Sequence, residues 1–504
     1  MNKLPFTLTL LVLVGVQAAV LGYWLNYPLL DEHAFRQTQT ALTAYWLLKD
    51  FDLLHYITPV LGAPWAIPFE FPLYQLFVAL LAEFFPYLGF DAAGRIVSWC
   101  FSIASVYPLA RIVTRYAQNE TAGLTAACFY LACPFYLFWG RTAMIESTAL
   151  FFSLMCLWWF ICLGDSPSWR FAALATLSGI CAALVKVTTI PAYMLAGYAH
   201  IFCIRRKTAL FNRDAILFIL PGTLSLLAVY LWQAHADQVK MLNDIASKLT
   251  SVNLSQWNFG TLAQRLSADT WHRLIQRIFK EILSPPGTIA LVLGAAAFFR
   301  VTPGLNKLFA AASLVVFALP LLIFTNLHYV HNYYQTACAI ALLASFAFLI
   351  SPRNGNLGRY HAAAVILISI FLVSGFVRYP KRIEKALQNE TLAAAEIVRL
   401  NTPQDSAILV YGYDWSSEIP YYAQRKALVS PNWREGELPN KSTDDILKAR
   451  LGGLPMSALI VRNFSMLPER DQDQIALILA TVSIRFERHD PNVSVYILEP
   501  GGTP

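Results

Sequence analysis

Charge is scarce in this chain: only 14% of its 504 residues are Asp, Glu, Lys or Arg, against 57% hydrophobic. That scarcity excludes a soluble enzyme carrying a single anchor and indicates an integral membrane protein. A basic stripe interleaved with aromatics is missing, so the net charge of +7 reads as a topology signal and not as a nucleic-acid surface. The polar loops contain no cysteine. All eight, Cys100, Cys128, Cys133, Cys156, Cys162, Cys181, Cys203 and Cys338, fall in apolar segments without a CxxC pair. Neither a disulfide framework nor a zinc site is indicated. No small-residue cleavage site precedes Asp31, so the first apolar run reads as a retained span and not as a signal peptide. No internal repeat suggests an inverted-repeat transporter.

What is present is a series of apolar runs from Phe6 to Phe376, each about the ~20 residues a helix needs to cross a bilayer. Some joints carry cations alone: Arg111 and Arg115; Arg205, Arg206 and Lys207; Arg300 and Lys307; Arg353 and Arg359. Alternating with them are joints of mixed chemistry: Asp31, Glu32 and Arg36; Glu70; Arg141 and Glu146; Lys186; His328 and His331. The positive-inside rule makes the first set cytoplasmic and turns the second set outward together. Roughly eleven spans are expected, with the N-terminus inside and the C-terminus outside. The outward stretch 28–95 has helical spacing over Thr38–Leu48 and an interfacial helix at Leu73–Phe85. A second outward loop covers 234–285. Residues 1–380 thus read as a multispan membrane domain. Residues 381–504 read as an outer-face α/β domain with helices at Ile383–Leu400 and Leu467–Ala480. Its strands are expected at Ala407–Tyr411, Ala458–Val461 and Val493–Leu498, with a further one at Val482–Phe486.

Chemistry concentrates in the outward joints. In LLDEHAFRQTQTA (Leu29–Ala41), Asp31 and Glu32 sit where the first span ends, with Arg36 about one helical turn on. Such a carboxylate can deprotonate a hydroxyl or hold a metal, and such an arginine can bind phosphate bidentately. A helix cap with a snorkelling arginine accounts for the same residues. Glu70 lies among aromatics and prolines in IPFEFPLYQ, with Arg95 as a candidate partner. Glu146 begins a span after Arg141, and Lys186 ends another. Intramembrane charges are functional candidates by default, while an Arg141–Glu146 pair and a snorkelling Lys186 are the structural alternatives. In NLHYVHNYYQ, His328 and His331 are three apart and Tyr333 and Tyr334 follow. They can donate hydrogen bonds to phosphate or hydroxyl groups, form half a metal site, or belong to an aromatic belt.

The order of these motifs resembles the GT-C glycosyltransferases of the protein mannosyltransferase and aminoarabinose transferase superfamily (bacterial glycosyltransferase family 39-like). Asp31-Glu32 matches the acid pair after the first span, and Arg36–Ala41 matches the Arg-Gln-x-Gln-Thr-Ala continuation. Phe69-Glu70-Phe71-Pro72-Leu73 is similar to a Phe-Glu-Lys-Pro-Pro-Leu motif, with Phe71 in place of the lysine. Arg141 and Glu146 match an Arg and Pro-Asp/Glu segment in which Ile145 stands at the proline position. Leu184–Lys186 matches a Leu-x-Lys segment, and His331–Tyr334 a His-x-Tyr-Tyr segment.

The resemblance implies an α-helical integral membrane protein of GT-C type with a periplasmic α/β domain, in a bacterial inner membrane. It implies transfer of a hexosyl or pentosyl unit from a polyprenyl-phosphate sugar to a glycan, lipid or protein acceptor, with inversion. Asp31, supported by Glu32, would be the general base. Arg36, Lys186, His331 and Arg141 would bind the donor phosphate, and Glu70, Arg95, Glu146, His328 and Tyr333 would support the substrates. No cofactor is required on this reading, although Asp31, Glu32 and Glu146 offer oxygen ligands for Mg²⁺ or Mn²⁺. A lipid-linked sugar flippase, or an oligosaccharide polymerase or ligase, is the alternative.

Overall fold

The computed structural model describes residues 3–205, 214–352, 357–433 and 443–499. Arg206, Lys207 and Arg353, assigned above to cytoplasmic joints, lie outside the described residues. By contact the chain forms two compact units. The first comprises Met1–Leu25, Gly94–Trp232 and Leu254–Pro380; the second comprises Asn26–Ala93, Gln233–Asn253 and Lys381–Pro504. The sequence suggested one division, at 380. In the structure, 26–93 and 233–253 associate with 381–504.

The chain is a multi-pass membrane protein by the length and composition of its helices. Among the described residues six helices are long and apolar enough to cross, or seven if Ala268–Ile282 and Pro285–Phe298, bent by 91°, count as one span. Leu4–Tyr23, with 20 residues, reaches about 30 Å at 1.5 Å per residue, the thickness of the hydrocarbon core. Several apolar helices fall short of that length, and the reasons are local. Glu120–Ala132 stops at Cys133, which is extended (φ −63°, ψ 123°), because Pro134 excludes the residue before it from the helical region. Trp169–Val185 and Ala339–Ile350 are apolar but only 17 and 12 residues long.

Inside the first unit, small residues let helices approach. A Cβ on Gly197 would lie 2.7 Å from the Phe160 ring, and one on Gly164 2.7 Å from His200, the contact type that holds membrane helices together. One buried amide is matched across helices: Gln17 Nε2 donates to the Leu131 carbonyl at 2.9 Å. Arg115 does more than set topology. Its Nε and Nη2 donate to Asp165 at 2.7 and 2.8 Å, a bidentate geometry.

The second unit is built on a five-stranded sheet: β1 (Ala407–Tyr411), β2 (Lys426–Val429), β3 (Met456–Arg462), β4 (Ile484–His489) and β5 (Val493–Leu498). The order is β2-β1-β3-β5-β4, with β1 parallel to β2 and β3, and β5 antiparallel to β3 and β4. Every residue of β1 is buried, as expected of a central parallel strand. The edge beyond β2 is covered by the first outward stretch: the Pro59 and Val60 carbonyls accept from the Ala427 and Val429 N–H groups at 3.0 and 2.8 Å. Asn243 fixes that stretch, donating to Leu61, Gly62 and Ala63 carbonyls and accepting from the Ile245 and Ala246 N–H groups. Gly62 is required here, since its φ is +79° and a Cβ would meet the Arg450 carbonyl at 2.6 Å.

Candidate active site

In the second unit, Asp31 and Glu32 precede the helix Ala34–Lys49. His33 adopts a left-handed conformation (φ 56°), an uncommon state for a residue with a Cβ, and turns the chain into the helix. The two adjacent carboxylates then have different partners. Gln37, fully buried, donates from Nε2 to Asp31 Oδ1 and to the Glu32 carbonyl. Glu32 pairs with Arg382 at 2.8 Å. Arg36 donates to Gln39 Oε1 at 2.7 Å. The turn is held from below by Tyr422, whose hydroxyl accepts from the Leu29 N–H at 2.5 Å and donates to Asp91 at 3.0 Å. Glu70 is half-buried and not enclosed, and its carbonyl accepts from Tyr56. Burial first, then the Glu70 charge, pushes the Tyr56 phenol far up, so it remains a donor.

In the first unit, Glu146 is the first residue of the helix Glu146–Asp165, and Lys186 caps the C-terminal end of Trp169–Val185. An acid at a helix N-terminus and a base at a helix C-terminus are each favoured by the helix dipole. They form an ion pair with each other, 6% and 5% exposed. The sequence alternatives, an Arg141–Glu146 pair and a snorkelling Lys186, are replaced by this pairing across 40 positions. Lys186 Nζ also lies 4.0 Å from the Tyr334 ring centre and 5.0 Å from that of Tyr333, where cation–π attraction adds to the pair.

The turn Asn332–Ala337 presents those tyrosines, and the His331 ring stacks on Tyr333 at 5.2 Å. His328 is buried below them. Burial, then the charges of Lys186 and Arg277, lowers its pKa to about 3, so it is a neutral imidazole. Arg277 was not foreseen as a site residue. It is buried and donates to the His328 and Val330 carbonyls, fixing the loop that carries both histidines. No sequence pattern marks it, since it sits in a polar loop among other basic residues.

The structure therefore gathers Glu146, Lys186, His328, His331 and Tyr333 into one cluster. Arg141, 1% exposed, lies over the Phe138 and Trp24 rings at 5.0 and 5.8 Å. Arg95 is fully buried and donates to the Leu25 carbonyl at 3.3 Å. Among the described residues no three His, Cys, Asp or Glu side chains group as metal ligands.

No protein-family model matches the sequence, and no curated protein matches it. Solved structures do match. ArnT from Cupriavidus metallidurans, bound to undecaprenyl phosphate, aligns with a TM-score of 0.66 and 12% identity over 99% of this chain and 98% of that one. The archaeal oligosaccharyltransferase AglB from Archaeoglobus fulgidus aligns with a TM-score of 0.51 and 12% identity, over 98% of this chain and 75% of that one. The arabinofuranosyltransferase AftD from Mycobacteria aligns with a TM-score of 0.52 and 12% identity, over 100% of this chain and 40% of that one. The likeness is one of fold, and it spans the chain from end to end: this protein folds as the GT-C membrane glycosyltransferases do.

Proposed function

We propose that the chain is a membrane glycosyltransferase. It moves one sugar from a polyprenyl-phosphate donor to a glycan, lipid or protein acceptor at the outer face of a bacterial inner membrane. The observation that carries this reading is the buried Glu146–Lys186 pair capped by Tyr333 and Tyr334, in a chain with the fold of ArnT, which was captured with undecaprenyl phosphate. Departure of a lipid phosphate concentrates negative charge, and preorganised cations in a dry site stabilise it best. Lys186, Arg36, His331 and Arg141 take that role. Glu146 holds Lys186 in place, while Arg277 fixes the loop through the His328 and Val330 carbonyls.

Asp31 is the general base. Gln37 orients its carboxylate, which takes the acceptor hydroxyl's proton while that oxygen attacks C1 opposite the phosphate, so the product is inverted. Glu32 holds Arg382, and Glu70, Arg95 and Tyr333 support the substrates.

The test uses the full chain in liposomes with a panel of polyprenyl-phosphate monosaccharides, with and without Mg²⁺ or Mn²⁺, reading release of free polyprenyl phosphate. Release from one donor, lost in Asp31→Asn, supports the reading and names the sugar. No release from any donor, with envelope acceptors present, overturns it in favour of a transporter or an enzyme acting on oligosaccharide diphosphates.

A further inference from the structure

A cavity of about 330 Å³ lies within the second unit, lined by Trp46 and Lys49 from the helix Ala34–Lys49, by Gln404, Asp405 and Ser406 before β1, and by Lys426 at the start of β2. Behind its wall lies an unmet donor. The Trp46 side chain is more than nine-tenths buried, and its Nε1–H has no hydrogen-bond acceptor, a costly state for an enclosed polar group. Around it stand two ammonium groups and one carboxylate. Lys426 Nζ sits 5.4 Å from the Trp46 ring centre and 5.6 Å from that of Trp65. Lys49 Nζ sits 5.6 Å from the Tyr45 ring centre, and Gln404 is oriented by a 3.1 Å bond to the Tyr45 hydroxyl.

We infer that this cavity is a binding subsite for an anionic saccharide, a sugar unit bearing a carboxylate or a phosphate. Indole rings offer the flat apolar surface that sugar C–H faces cover. The Gln404 amide and the Asp405 carboxylate supply donors and an acceptor for hydroxyls. The lysines exceed the carboxylate by one positive charge, which selects an anion.

Gln37, which holds Asp31, and Lys49 lie on one helix, and the 12 steps from one to the other amount to roughly 18 Å at 1.5 Å per residue. A sugar in this cavity is therefore a different unit from one reacting at Asp31. Its use in holding a long acceptor rests on the transferase reading; the binding itself does not.

Saturation-transfer NMR on the full chain in detergent tests it, with methyl glucuronide, glucose 6-phosphate, uncharged methyl glucoside and inorganic phosphate as probes. The two anionic sugars are expected to bind and to displace each other, with methyl glucoside weaker. Lys49→Met and Lys426→Met should each lower affinity about threefold, as solvent-reached charge contacts do. Trp46→Phe, which keeps a ring but narrows the flat face lining the cavity, should lower it as well. Lys49 is exposed, so its variant folds even if the tryptophan variant does not. Binding unchanged in Lys49→Met, inorganic phosphate competing as well as the sugars, or no transfer to any sugar would each overturn the inference. Binding that persists in a chain with no transferase activity refutes the function but not the subsite; turnover without such binding does the reverse.

Discussion

Replacing Glu146 by Gln is the sharpest perturbation of the proposed donor site. It leaves Lys186 as a cation 5% exposed without its carboxylate. Breaking a buried pair from one side costs about 3–5 kcal/mol, because an uncompensated charge remains. Here the lower end is expected. Tyr334, 4.0 Å from Nζ, and the helix C-terminus at Lys186 each retain part of the stabilisation, up to about 2 kcal/mol for a desolvated cation–π contact and about 0.3–1 kcal/mol for the dipole. Lys186→Met should cost a similar amount, since it strands Glu146. The double variant removes both charges, so its loss should fall short of the sum by about 2 kcal/mol or more.

Heat unfolding of a large membrane protein is a rate measurement, so the assay is the unfolding rate in detergent at fixed temperature. Three kcal/mol corresponds to a rate increase of about 100-fold if the pair is lost before the barrier. Polyprenyl phosphate adds the second readout: at about 100 times its Kd a ligand stabilises by about 2.7 kcal/mol. It should protect wild type and Glu146→Gln and leave Lys186→Met unprotected. Additive losses in the double variant, or equal protection of Lys186→Met, would refute both the pair's energetics and its role.

Asp31→Asn should reduce turnover by a factor of about 10² to 10⁴, the range of a lost general base, while donor binding by equilibrium titration stays unchanged. Gln37→Leu leaves Asp31 chemically intact but removes the amide that donates to it from the helix, so kcat should fall about tenfold or more with little change in KM. His328 is neutral when folded, with a pKa near 3 against an ordinary value of 6.5. As pH falls below 6.5 the unfolded chain gains a proton there and the folded one does not, so stability drops between pH 6.5 and 3; in unfolding-rate profiles His328→Leu should be flatter over that window. Asn243→Ala removes five hydrogen bonds of a buried amide. A loss of about 3 kcal/mol should appear as faster proteolysis within 57–66, whereas an unchanged digestion pattern would show that Asn243 does not pin the stretch.

Much of the fold is legible from local pattern. Strands Ala407–Tyr411 and Val493–Leu498 are found with the boundaries that β-branched alternation indicates, and Ala34–Lys49 contains the expected helix Thr38–Leu48. Hydropathy does not fix where spans end, however, because it sums apolar residues without weighing where the backbone breaks. Pro134 divides one expected span, and at 12 residues Ala339–Ile350 reaches only about 18 Å. The strand Lys426–Val429 escapes because four residues carry too little periodicity, and its pairing with residues 59 and 60 is a long-range fact.

The site shows the same limit in sharper form. Each charged residue was legible by its cost: Glu146 and Lys186 stand out because a lipid-level charge needs a reason. Which reason depends on the partner, and partners are tertiary. Glu146 meets Lys186 and not the adjacent Arg141, because one begins a helix and the other ends a helix, so both dipoles favour the same contact. Glu32 meets Arg382, 350 positions away, while its neighbour Asp31 is held by Gln37 from one turn on. The two carboxylates that look like a pair in sequence thus meet different side chains. His33, left-handed at φ 56°, turns the chain between them and the helix Ala34–Lys49, so Gln37 reaches back to Asp31 while Glu32 meets a residue far along the chain. Adjacency in sequence therefore says that both acids stand at this turn, and the turn and the packing decide what each one touches.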